Sequence, residues 1–147
     1  MSADVTRVSP AEANDLVTRE GYVHVDVRTE AEFDEGHPAG AFNVPFQLPL
    51  GDGMADNHDF LTVMQAKFGA DTPIVVACRS GQRSLRAARA LAAAGFTRVV
   101  DQRAGWAGVR SPFGELKEPG WQAAGLPAET ATLAGRAYAD LRVTASG

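Results

Sequence analysis

Along the chain, short apolar runs alternate with longer stretches in which apolar residues recur every three or four positions. "YVHVDV", Tyr22 to Val27, sets valines on one side and His24 and Asp26 on the other, and predicts a strand. "PIVVA", Pro73 to Ala77, is unbroken and β-branched, as a central parallel strand covered on both faces should be. "FTRVV", Phe96 to Val100, predicts another strand, and Phe42 to Val44 a brief one cut off by Pro45. The intervening patterns are helical. Ser9, Pro10 and Glu12 read as a helix start, with a hydroxyl cap, a proline in the first turn and a carboxylate at cap plus three. That helix runs to about Glu20 and stops at Gly21. Thr29 caps a short helical turn, with Arg28 and Glu32 close enough to pair. Phe60, Val63, Met64 and Phe68 follow helical spacing up to Gly69. Ser84 to Ala94 puts Leu85, Ala88 and Leu91 on one stripe, closed by Gly95. Gly51 to Asn57 reads as a surface loop. From Gln102 onward the pattern weakens to a loop rich in glycine and proline, followed by a helix around Ala131 to Leu141 that packs on the outside.

Strands alternating with helices predict an α/β, three-layer single domain on a mostly parallel sheet, with right-handed crossovers. The 147 residues suffice for one domain with a real core, spanning about 5–106, on which 107–147 pack.

Charge and cysteine content narrow the function. Eighteen acidic against 14 basic residues give a net charge of -4 and no basic footprint, so nucleic-acid binding is not expected. No apolar stretch approaches a membrane span, and "MSADVTRVSP" lacks the features of a signal peptide, so a cytoplasmic, reducing compartment is expected. Cys78 is the only cysteine, which excludes an internal disulfide and a Cys-x-x-Cys zinc site. Neither metal nor cofactor is expected. Any thiol chemistry must finish on a thiol from outside the chain.

Cys78 ends the "PIVVA" strand, and open parallel sheets bind ligands beyond the carboxyl ends of their strands. The loop that follows, Arg79 to Arg83, runs directly into a helix, so free N–H groups and the positive end of the helix dipole face the sulfur. Gly81 permits the curl that turns several N–H groups inward as an anion nest. Arg79 and Arg83 add full positive charges. A lone cysteine can be merely a small buried hydrophobe. Here every local influence favours thiolate over thiol, which points to a nucleophile in a cradle that also accepts an anion.

The chain resembles the single-domain members of the rhodanese (sulfurtransferase) superfamily. "CRSGQRS" matches the Cys-x-x-Gly-x-Arg-Ser loop of that superfamily, "DVR" and "EFDEGHPAGAFNVP" match two upstream signatures, and "GFTRVV" matches the segment after the loop helix. The four lie in order within about Val5 to Trp106, and "EPGWQAAGLP" is similar to the tail of thiosulfate sulfurtransferase-like members. The resemblance implies a five-stranded parallel sheet flanked by helices. It also implies a cycle in which Cys78 takes sulfane sulfur from a small anionic donor such as thiosulfate, becomes a persulfide, and passes the sulfur on. The acceptor would be a thiol, such as glutathione or a thioredoxin-like protein, or cyanide. Arg79, Ser80, Gly81, Gln82, Arg83 and Ser84 are expected to bind the donor, with Trp106 either a pocket wall or part of the core. One departure is Ala104, where many members carry a glycine; it is expected to reshape the pocket rim.

Two other readings stand beside this one. Phosphatases and arsenate reductases of the same fold place the loop arginine one position further along, whereas here Arg83 lies five positions after Cys78 and Ser84 follows. The shorter ring suits an outer sulfur but crowds a tetrahedral oxyanion, and no acidic residue stands out as the general acid for a leaving group. The third reading is a non-enzymatic rhodanese-like binding module, which the intact Cys78 loop argues against. Elsewhere, His24 reads as a satisfied core histidine, His37 as part of a structural turn and His58 as loop surface. Asp26 and Arg28 read as a charge pair bracing the sheet edge toward Glu32, and Arg86 and Arg89 as a solvated helix face.

Overall fold

Four of the five strands of the main sheet are those the apolar pattern predicts; the remaining one precedes the first helix. The structure, a computed structural model, describes residues 5–146. β1 (Thr6–Val8) leads through Ser9 into α1 (Pro10–Arg19). The Ser9 hydroxyl accepts the Glu12 N–H at 3.1 Å, and the Glu12 carboxylate accepts the Ser9 N–H at 2.9 Å, so the capping box read from sequence is closed in both directions. β2 (Val23–Asp26) is followed by α2 (Glu30–Glu35), which Thr29 and Glu32 cap in the same reciprocal way. Next come β3 (His37–Pro38) and β4 (Phe42–Asn43).

The stretch read as a surface loop is partly a hairpin. β5 (Gln47–Leu50) pairs antiparallel with β6 (Gly53–Asp56) through a tight turn in which Gly51 takes a φ of +59°. Pro49 and the glycine-rich, polar tip break the alternation that would have marked it. α3 (Phe60–Lys67) then precedes β7 (Ile74–Ala77), every residue of which is buried. α4 (Gln82–Ala93) begins two residues before the sequence reading, because Gly81 caps it from a left-handed conformation. Its inward stripe is Ser84, Ala87, Ala88 and Leu91, with Leu85 only half-buried. β8 (Val99–Gln102) completes the main sheet, in the order β1-β8-β7-β2-β4 with every pairing parallel.

Beyond β8 the chain forms β9 (Val109–Arg110) and β10 (Leu116–Glu118), which pair with each other, and β11 (Ala128–Glu129), which pairs back with β3. The final helix is α5 (Tyr138–Ser146), further along than the expected 131–141. Gly135, at a φ of +78°, precludes a helix running through it, and Tyr138 and Leu141 supply the buried face.

Three layers result. One face of the sheet packs Val25, Ile74 and Val76 against Met64 and Phe68, Ala88 and Leu91 of α4, and Tyr138 and Leu141 of α5. The other packs Val8 and Val75 against Ala13 of α1 and Trp121 from the long C-terminal segment. Among the described residues, no helix is long and apolar enough to cross a membrane.

Candidate active site

Cys78 follows β7 directly and is 2% exposed. Its sulfur accepts the Gly81 N–H at 3.1 Å and lies 3.4 Å from the Ser84 hydroxyl oxygen. The chain can curl this tightly because Gly81 has a φ of +97°. A Cβ at that position would be driven into the Arg103 carbonyl and would come within 2.9 Å of Arg7 Nη2.

The turn after β8 supports the loop from behind. The Trp106 N–H donates to the Cys78 carbonyl and the Ala107 N–H to the Arg79 carbonyl, each at 2.8 Å. This close approach leaves no space for a side chain on Gly105, whose Cβ would lie 2.5 Å from the Arg79 carbonyl. The Gln102 amide fixes Gly105 by accepting its N–H at 2.7 Å and donating to its carbonyl at 3.1 Å. Ala104, expected at the rim, is instead completely buried. The close contact at this turn falls on the following glycine.

The sulfur faces a cavity of about 520 Å³. The loop contributes Cys78, Ser80, Gln82 and Arg83; Thr29 and Glu32 come from the start of α2, and Gln47, Pro49 and Met54 from the β5–β6 hairpin. Gly81 and Ser84 are buried behind this wall and reach the sulfur through one N–H and one hydroxyl. Arg79 is exposed and lines two adjoining grooves instead. Trp106 lies in the second of these with Arg79, its ring 5.0 Å from the Arg28 guanidinium. The wall that Trp106 forms therefore belongs to a neighbouring groove.

Arg83 carries a partner that the sequence did not disclose. Its guanidinium grips Glu32 with both nitrogens, at 2.7 and 3.0 Å. Arg28 forms the expected charge pair with Asp26, at 2.7 Å, and donates to the Gly36 carbonyl at 2.6 Å, but it does not reach Glu32. Burial pushes the Glu32 carboxyl upward, but hydrogen bonds from Arg83 and Thr29 outweigh it and bring its pKa down to about 2. The same contact with Glu32 raises the Arg83 pKa further. The cavity thus holds an ionised carboxylate beside its cation, and Glu32 has no proton to donate at neutral pH. Glu32 could have been found only through its position in the capping box, which turns its side chain back over the first turn of α2.

Arg7 was likewise missed. From β1 its Nε donates to Asp101 at 2.7 Å, and its Nη2 donates to the Gly81 carbonyl at 3.1 Å. No pattern in the chain connects residues 94 positions apart. The histidines lie away from the sulfur. His37 is buried, stacked on Phe33 with ring centroids 3.6 Å apart, its nitrogens 2.7 Å from the Phe33 carbonyl and 3.1 Å from that of Ala131. His58 is exposed. His24 is buried against Trp121 but neither ring nitrogen has a hydrogen-bond partner, so it is a core histidine left unsatisfied. Among the described residues, no group of three or more His, Cys, Asp or Glu side chains could hold a metal ion.

The chain is similar to known proteins over most of its length. Thiosulfate sulfurtransferase 16, chloroplastic, from Arabidopsis thaliana is 45% identical over 94 residues, covering 64% of this chain and 78% of that protein. Senescence-associated protein DIN1 from Raphanus sativus is 45% identical over 86 residues, 58% of this chain; the match spans only 47% of that longer protein. Among solved structures, Rv0390 from M. tuberculosis superposes with a TM-score of 0.71 at 29% identity, covering 88% of this chain and all of that one. Residues 9–111 match the rhodanese-like domain family, which is most of the chain and includes the whole Cys78 loop; the chain belongs to that family.

Proposed function

We propose that this protein is a sulfurtransferase working through a persulfide on Cys78. The observation that carries this reading is the Gly81 N–H donated into the Cys78 sulfur at 3.1 Å, at the wall of a cavity of about 520 Å³. A donor amide and a helix N-terminus stabilise negative charge on sulfur, first as thiolate and then on the outer sulfur of a persulfide. The thiolate attacks the sulfane sulfur of a donor such as thiosulfate, a new S–S bond forms, and sulfite leaves with the electron pair of the broken bond. An acceptor thiolate or cyanide then attacks the outer sulfur, and Cys78 departs as thiolate. Ser80, Gly81, Gln82 and Arg83 receive the donor, Ser84 supports the sulfur, and Arg79 and Trp106 flank the approach. We place the reaction in a reducing compartment such as the cytoplasm, with glutathione or a thioredoxin-like protein as the thiol acceptor and all 147 residues as one domain.

The phosphatase or arsenate reductase reading is less well supported. Leaving-group protonation needs an acid, and the one carboxylate lining the cavity has a pKa of about 2. Intact-mass measurement after mixing with thiosulfate tests the proposal. The chain should gain the mass of one sulfur, lose it to cyanide or dithiothreitol, and gain nothing in Cys78→Ala. An adduct that survives that substitution, or turnover of a phosphate ester or arsenate without any sulfur adduct, would sink it.

A further inference from the structure

The cavity at the Cys78 sulfur holds no uncompensated cation, because Glu32 neutralises Arg83. Unpaired positive charge lies one wall away. Ser80 and Gln82 line that cavity on one side and, on the other, a second groove of about 330 Å³. Arg79 and residues 107–110 complete this groove, so its lining carries two guanidinium groups and no carboxylate. Among the described residues neither arginine has an ion-pair partner; the Arg110 side chain donates only to the Gly114 carbonyl, at 3.0 Å. Nearby carboxylates are engaged elsewhere, Glu118 by Arg103 at 2.9 Å and Glu32 by Arg83 at 2.7 Å. The backbone of the groove is fixed before any ligand arrives. The Ala107 N–H donates to the Arg79 carbonyl at 2.8 Å and the Gly108 N–H to the Ala104 carbonyl at 2.9 Å. Gly108, at a φ of +96°, lies so close to the Glu118 carbonyl that a Cβ there would come within 2.6 Å of it. Two exposed cations lining one groove without a counter-charge favour an anion between them.

We propose that this groove is the subsite of the sulfur acceptor: Arg110 and Arg79 hold the carboxylates of a small thiol whose sulfur crosses the wall of Ser80 and Gln82 to reach Cys78. The proposal rests on the persulfide reading above and names the class of acceptor. Thiosulfate carries its charge on atoms bonded directly to its central sulfur, so it delivers that charge into the Cys78 cavity. A thiol can carry carboxylates many bonds from its sulfur, as a thiol-bearing peptide does, and so can occupy both spaces at once. The acceptor attacks as a thiolate, having lost its proton to water. Its lone pair forms a bond to the outer sulfur of the persulfide, the bond from that sulfur to Cys78 breaks, and the electron pair stays on Cys78. One S–S bond forms and one breaks, and the acceptor leaves as a persulfide with its carboxylates unchanged. A neutral thiol could make the same attack but would gain nothing from the two arginines. Arg110 thus sets specificity by touching the acceptor's carboxylate and not the reacting sulfurs.

Two acceptors of unlike charge test this in the full chain. With thiosulfate as donor, Arg110→Ala should raise the KM for glutathione about two- to fivefold, the range of an exposed ion pair, and Arg110→Glu should raise it further. The KM for 2-mercaptoethanol, which has no carboxylate, should move far less, and Arg110→Lys should recover part of the glutathione loss. The preference of the unmodified chain for glutathione should shrink as added salt shortens the reach of exposed charge. An equal change with both thiols, or none with glutathione, would overturn the subsite. So would an effect of Arg110→Glu on discharge by reduced thioredoxin that is absent with glutathione. A binding measurement separates this failure from failure of the sulfurtransferase reading. S-methylglutathione, which has no thiol to accept sulfur, should shift the backbone amide resonances of residues 107–110, with a Kd at least about twofold weaker in Arg110→Glu. Shifts without persulfide formation would keep the carboxylate site and refute the sulfurtransferase reading alone. No shifts at these amides, or an equal Kd in the variant, would overturn the subsite whether or not sulfur is transferred.

Discussion

Glu32 alters what the cationic loop offers to an anion. With both Arg83 nitrogens on that carboxylate, an anion entering the cavity would meet a neutralised pair and not a free guanidinium. Glu32→Gln should therefore lower the KM for thiosulfate by releasing Arg83. Arg83→Ala should raise it, by losing a charged hydrogen bond and leaving Glu32 unopposed in the cavity. A charged hydrogen bond is worth about 1.5–3 kcal/mol, or roughly ten- to hundredfold in kcat/KM. Combining the two substitutions should recover part of the Arg83→Ala loss, since the stranded charge is then gone. Steady-state kinetics that leave kcat/KM unchanged in all three would remove the pair from donor binding. Cys78 and its loop could be read from sequence because their chemistry is local: a strand end, one glycine and a helix start lie within a few positions. Glu32, Arg7 and Asp101 could not, because each matters through a partner that only folding brings near.

The junction between β7 and α4 depends on one backbone conformation. Gly81→Ala must force a side chain into positive φ and against the Arg103 carbonyl. The conformation alone costs about 1–3 kcal/mol, and any relief moves the N–H away from the sulfur. Urea unfolding should show a loss of at least that order, and the sulfur adduct should form far more slowly; unchanged stability would mean the loop has another way to close. The helices that start with Ser9 and Thr29 were legible to the residue, since reciprocal caps write their start into four consecutive positions. β1 was not, being three residues long with only Val8 buried. Nor was the β5–β6 hairpin, whose job is to wall a cavity and not to bury an apolar face.

For the molecule as a whole, His24 couples stability to pH. It is buried with both nitrogens unpartnered, and burial lowers its pKa from 6.5 to about 4. The unfolded chain therefore binds a proton that the folded chain refuses. Stability is full above pH 6.5 and falls as the pH drops toward 4, by a total of about 3 kcal/mol from this residue. Asp101, whose pKa is raised, acts in the opposite direction. Chemical denaturation across pH 4–7 should show the slope, and His24→Leu should flatten it; an equal slope in that variant would assign it to other groups. The pattern of apolar residues disclosed the layers and the direction of the sheet. It disclosed little beyond residue 106, where Trp121 packs onto the second face and β11 pairs back with β3 through scattered contacts rather than periodic ones.

The contact between Arg7 and Asp101 also imposes an order in time. Arg7 leaves the ribosome well before Asp101, which is made 94 residues later, and before the turn that supports the Cys78 carbonyl. Until β8 has emerged and slotted between β1 and β7, Arg7 lacks the Asp101 carboxylate that fixes it beside the Gly81 carbonyl. The Cys78 loop therefore closes on its supports only after β8 and the turn that follows it have been made.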